Sequence, residues 1–113
     1  MIDIKTKCFA LFQQVVVSRD RLCRAPGCSE RSTAGHHIFG RGASVAFNPK
    51  YGIGLCVECH RWAHAKPEEF KGWVIYMLGE GEYYSGLRLS NAVIKNIDYE
   101  QIRDDLKVLL KGL

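Results

Sequence analysis

The chain has 113 residues, 47% of them hydrophobic and 25% charged, with a formal net charge of +4. That length suits one domain, residues 1–113, with a modest core that would gain from a metal staple, and it leaves no room for a separate targeting module. Residues 8–17, CFALFQQVVV, are apolar but too short to cross a bilayer and are broken by two glutamines, and no secretory signal is visible, so a cytoplasmic protein with no membrane partner is expected.

Ile4, Cys8, Leu11, Phe12 and Val15 recur at helical spacing, which predicts an N-terminal amphipathic helix, although Val15-Val16-Val17 could instead begin a strand. Cys8 then reads as a core thiol. From Arg21 to Ser29 a knuckle is expected, with Pro26-Gly27 turning the chain between Cys23 and Cys28. A short strand over residues 33–38 would deliver His36 and His37 side by side. Strand neighbours point to opposite faces, unless a bulge at Gly35 redirects them. Gly40, Arg41, Gly42 and the polar run to Lys50 read as a loop, residues 53–55 as a second short strand, and the segment bearing His60 and His64 as a helix.

Lys66-Pro67-Glu68-Glu69 predicts a helix restart, with proline in the first turn and acids favoured by the helix dipole. Phe70, Trp73, Val74, Met77 and Leu78 form its apolar stripe, expected to pack the C-terminal helices on the preceding module. Gly79 and Gly81 should end it. Residues 83–93 read as a further helix, and Asp98 to Gln101 as an N-cap signal ahead of Ile102, Leu106, Leu109 and Leu110. The fold class is therefore α+β, with a small hairpin anchored by metal.

The metal expectation comes from clustering. All four histidines and four of the five cysteines lie between Cys23 and His64, as C-x4-C, His36-His37 and C-x2-C-H-x3-H. Cys23 with Cys28 and Cys56 with Cys59 form two short-spaced pairs of the kind that close a tetrahedral structural zinc site. His60 and His64, four apart on a helix, project from one face, and with a third imidazole they make an open metal site. A zinc deaminase would need H-x-E, and a metalloprotease H-E-x-x-H; the chain has neither.

These residues carry a resemblance. The segments CRAPGC, GHHIFGRG and YGIGLCVECHRWAH are similar to those of the HNH endonucleases, whose ββα-metal, treble-clef-like motif is often built on a four-cysteine zinc scaffold. The match covers roughly residues 20–70, a little under half the chain, and leaves 67–113 as a helical extension. It implies that His36 ligates a catalytic cation, that His37 is the general base, and that His60 and His64 are further ligands or phosphate contacts. It implies hydrolysis of DNA phosphodiesters to 5′-phosphate and 3′-hydroxyl ends, with a structural Zn²⁺ and one catalytic divalent ion. Imidazole ligands favour Mn²⁺, Co²⁺, Ni²⁺ or Zn²⁺, whereas the family frequently uses Mg²⁺. The family's middle asparagine falls on Tyr51, whose phenol lacks an amide's paired donor and acceptor, and Asn48 lies three residues earlier. Small proteins of this type resemble those of phages and prophages. The alternative is a catalytically inactive, zinc-stabilised nucleic-acid-binding module.

Charge agrees with a DNA partner. Residues 1–66 carry ten Lys or Arg against four acids, whereas residues 67–113 carry six bases against eight acids. The basic half holds the histidines, so a polyanion would be drawn there. Arg41 and Lys50, in the loop between the strands, are candidate phosphate clamps, and Arg61 a further DNA contact. One active site cuts one strand, and a homodimer is one way to cut both.

Overall fold

The structure, a computed structural model, describes residues 2–113. A two-stranded antiparallel hairpin forms a middle layer between two helical layers. Helix α1, Ile4–Arg19, crosses one face of it; α2, Val57–Ala65, and α3, Pro67–Leu78, cover the other. Strand β1, Ala34–His37, pairs with β2, Gly52–Leu55, in a register that sets Ala34 against Leu55 and His37 against Gly52. Helix α4, Glu80–Ser90, packs on α3, while α5, Tyr99–Lys111, returns to lie along α1. The described residues thus make an α+β arrangement of five helices and one hairpin, and no helix among them is long and apolar enough to cross a membrane.

Helix α1 starts on Asp3, whose carboxylate accepts a 2.8 Å bond from Thr6 N–H. It continues through all three valines, which settles the open choice at Val15-Val16-Val17 in favour of helix. Tertiary packing decides this. Val15 and Val16 are both buried, in the cluster α1 shares with Leu106 of α5, and burial outweighs the slight helix penalty of β-branching.

On its α1 face the hairpin is nearly bare of side chains. A Cβ at Gly52 would lie 2.5 Å from the Phe12 ring, and one at Gly54 would lie 2.6 Å from Asp20 Cβ. Glycine here permits close approach of helix and sheet. The Asp20 carboxylate accepts the Gly54 N–H at 2.9 Å and two bonds from Arg19, whose guanidinium also reaches the carbonyls of Gly52 and Pro49. Burial pushes the Asp20 carboxyl up in pKa, but these bonds and the charges of Arg19 and Arg24 outweigh it and hold it below the ordinary value. The end of α1 is thereby fastened to the outer edge of β2.

The opposite face carries Ile53 and Leu55, packed with Ala63, Phe70, Val74 and Tyr83. The apolar stripe of α3 packs on the cysteine-bearing module as expected, but α5 packs on α1 instead. Gly79 ends α3 with φ +88°, and the chain restarts immediately, so α4 begins at Glu80 and takes Gly81 into its first turn, three residues earlier than the sequence reading.

Candidate metal centres and the histidine cleft

The knuckle closes around Pro26-Gly27. Cys23 N–H donates to Glu30 O at 2.7 Å, Cys28 N–H to Ala25 O at 3.2 Å, and Gly27 takes φ +74°. The second thiol pair sits at a helix start: Cys56 is the N-cap of α2, its sulfur accepting from Cys59 N–H at 3.5 Å. The fold brings both pairs together, with the four sulfurs all within 4.8 Å of one another. Cys28 Sγ and Cys56 Sγ are 3.8 Å apart, and all the cysteines are free. A tetrahedron with metal–sulfur bonds of about 2.3 Å has edges of about 3.8 Å, whereas a disulfide needs about 2.05 Å. The four cysteines can hold a structural metal ion. Burial and the neighbouring sulfurs push the Cys59 thiol up, while the Cys59 N–H bond and the adjacent thiols hold Cys56 down. Four sulfurs this close can all be thiolates only around a cation.

The histidines sort by strand alternation. The register runs unbroken through Gly35, so no bulge turns them, and His36 and His37 point to opposite faces. His36 meets α2, its ring centroid 5.2 Å from His60, 5.0 Å from His64 and 4.8 Å from Phe70. The Nε2 atoms of His60 and His64 are 3.2 Å apart, close to the edge of about 3.3 Å for nitrogens bound at about 2.0 Å from a tetrahedral ion. All three rings offer a ligand atom within 4.8 Å of the others. Burial, then the charges of His60, His64 and His37, hold His36 down to about 4, and burial with His64 lowers His60. At neutral pH the His36 lone pair is therefore free for a cation.

His37 faces α1. Its ring stacks on Phe12 at 4.4 Å and meets the edge of Phe9 at 5.9 Å. Its Nε2 lies 3.1 Å from the Ala46 carbonyl oxygen, which a turn from Gly42 to Ala46 holds in place. A carbonyl only accepts, so Nε2 carries the proton and Nδ1 keeps its lone pair. Burial lowers the His37 pKa, the Ala46 bond opposes that, and Arg41 adds to it.

Although they leave β1 from opposite faces, both histidines reach one cleft along the open edge of that strand. The cleft, about 550 Å³, lies between α1 and α2 and takes in His36, His37, His60, His64, Gln13 and Arg41. Among the described residues, no carboxylate lines it. The Arg41 guanidinium is held 4.2 Å above the Phe9 ring. A second depression continues past His60 and His64 to Arg61, whose guanidinium meets Glu58 at 2.9 Å. Lys50 is turned elsewhere: its ammonium pairs with Glu82 of α4 at 2.6 Å, away from the cleft lining.

Tyr51, at the position of the family's middle asparagine, packs its ring away from the histidine cleft. Its ring is buried against Phe39 at 5.4 Å and close to Gly86, and only its backbone serves the histidine strand, the Tyr51 carbonyl accepting Ile38 N–H at 2.9 Å. The bulky ring is drawn to the apolar space between the loop and α4, and Tyr51 is not among the residues that line the histidine cleft. Asn48 accepts Lys50 N–H at 3.0 Å and caps a short 3₁₀ turn, Pro49–Tyr51. Tyr51→Asn should therefore destabilise the fold by roughly 2–4 kcal/mol, through a cavity and an unpaired amide. A melting midpoint unchanged from the wild type would contradict that placement.

The sequence reading missed Gln13 and the Ala46 carbonyl. Only the structure separates Gln13 from its neighbour Gln14, by half-burying it; nothing in the sequence marks the backbone oxygen of Ala46. No family model, curated protein or solved structure matches this chain.

Proposed function

We propose that the protein is a metal-dependent endonuclease of the HNH kind, acting on DNA through a zinc-anchored ββα-metal module with a treble-clef-like scaffold. The observation that carries this reading is the pairing of three convergent histidines, two half-buried and one exposed, with a fourth, neutral and carbonyl-oriented, on one cleft with no carboxylate among its described lining residues. An inactive binding module would need the cysteines and the basic face but has no use for this arrangement. His36, His60 and His64 would hold the catalytic cation, and the four cysteines a structural Zn²⁺. The cation, when bound, supplies Lewis-acid stabilisation of the charge that develops on the phosphate and the leaving oxygen.

His37 takes a proton at Nδ1 from a water molecule as that oxygen attacks phosphorus. The Nε2–H bond to Ala46 fixes the tautomer and, with the Phe12 stack, the ring plane. The bond from phosphorus to the 3′ oxygen breaks, and the 5′ side keeps the phosphate. Arg41 contacts a phosphate on one flank of the histidine triad and Arg61 one on the other, and both interactions weaken with salt. Lys50 lines neither the cleft nor the depression beside it, and is left out.

The pH dependence tests the base. A general base works unprotonated, and the folded pKa of His37 lies below the ordinary 6.5, so it keeps its lone pair at neutral pH and gains a proton only in more acid solution. The cleavage rate at saturating cation should be flat near pH 7 and fall only below the ordinary histidine pKa of about 6.5. An acid limb centred above pH 7 would contradict this.

A further inference from the structure

Gln13 joins α1 to the strand that carries both histidines. Its side-chain amide donates to Gly35 O at 2.6 Å and accepts from Gly35 N–H at 2.7 Å, satisfying both backbone groups that Gly35 turns away from β2. β1 is a strand with an open edge, and this edge faces the cleft. The Gly35 carbonyl and the His36 N–H belong to one peptide unit, so a bond to that carbonyl fixes the plane from which the His36 side chain departs. Without the amide, two backbone groups at the cleft margin would turn to water and the strand edge would be free to shift. The clamp is bidentate and short. It supplies the paired donor and acceptor that the phenol of Tyr51 cannot, and it does so from a different element of the fold.

We infer that Gln13 is a positioning residue: its paired bonds to Gly35 set the orientation of His36 within the three-histidine cation site and the register of His37 beside it. The inference rests on the proposed reading of that cleft as a metal site. Gln13 touches neither cation nor substrate in this role. It acts on a first ligand through the backbone, as outer partners of metal ligands do, and loss of such partners commonly weakens metal affinity tenfold to a hundredfold.

The test uses Co²⁺ alone as probe, titrated into zinc-loaded full-length protein and followed by the visible ligand-field bands of cobalt at the histidine site. Gln13→Met keeps the length and helix preference of the side chain but removes both bonds. It should weaken Co²⁺ binding by about tenfold or more and change the band shape, while zinc at the cysteines stays at one equivalent. Val15→Ala, at the buried α1–α5 contact, is the control for general loosening. It should lower the melting midpoint yet leave Co²⁺ affinity within about twofold of wild type. Gln13→Ala keeps the test in force if the methionine variant does not fold. Co²⁺ binding by the Gln13 variants within twofold of wild type would overturn the inference, as would an equal loss in Val15→Ala. The readout does not depend on cleavage. If wild type binds Co²⁺ but nicks no DNA, the nuclease reading fails while the role of Gln13 stands.

Discussion

His37→Ala should slow DNA cleavage by on the order of a hundredfold or more, with zinc content and DNA affinity close to those of wild type. A positioned general base contributes about that much to the barrier, and none of the ligand atoms in either metal cluster is removed. The imidazole also packs on Phe12 and holds the Ala46 carbonyl, so the variant should lose stability as well, by roughly 1–3 kcal/mol. Single-turnover cleavage at saturating cation separates the two effects, because a folded variant with an intact site would still bind DNA normally. Wild-type cleavage by this variant, with contaminating nuclease excluded, would remove His37 from the mechanism.

The second large effect concerns the cysteines. Cys59→Ser should leave the protein unfolded or aggregated, because the knuckle, the N-terminus of α2 and the end of β2 meet at these four sulfurs. Structural zinc sites contribute folding energy of about 10–16 kcal/mol in small domains, more than the whole stability of most single domains. His64→Ala should behave in the opposite way. His64 is exposed, and among the described residues the aromatic rings it meets are those of His36 and His60, so its loss should remove cation binding and cleavage while the melting midpoint moves by a few degrees. Purified protein without tightly bound zinc, or a folded Cys59→Ser variant, would contradict this division of roles.

Much of the site was legible because its logic is local. The spacing of Cys23 and Cys28 around Pro26-Gly27, the four-residue step from His60 to His64, and the alternation at His36-His37 each follow from one turn, one helix or one strand. The helices of the C-terminal half were legible in kind for the same reason, through the proline start of α3 and the Asp98 cap of α5. What the sequence could not give depends on contacts between distant elements. Val15-Val16-Val17 is ambiguous until α5 covers it. Gly35 reads only as a possible bulge and nothing in the sequence singles out Gly52 or Gly54, yet Gly35 and Gly52 lie against Val16 and Phe12 of α1 and Gly54 against Asp20 at its end. Tyr51 sits at the expected position along the chain, but its ring follows the apolar space beside Phe39 and Gly86, and the pairing of Lys50 with Glu82 depends on how α4 docks. Gln13 lies 22 residues from the backbone it clamps.

In the proposed function a cation at three histidines lets this cleft hydrolyse DNA. The most direct measurement is nicking of supercoiled plasmid by zinc-loaded protein, freed of other metals, with Mg²⁺, Mn²⁺, Co²⁺ or Ni²⁺ added singly and the product ends identified. The expected result is relaxed circles only when a cation is added, with 5′-phosphate and 3′-hydroxyl ends and with no activity in His64→Ala. Plasmid left intact with every cation, or nicked equally well with none added, would contradict it.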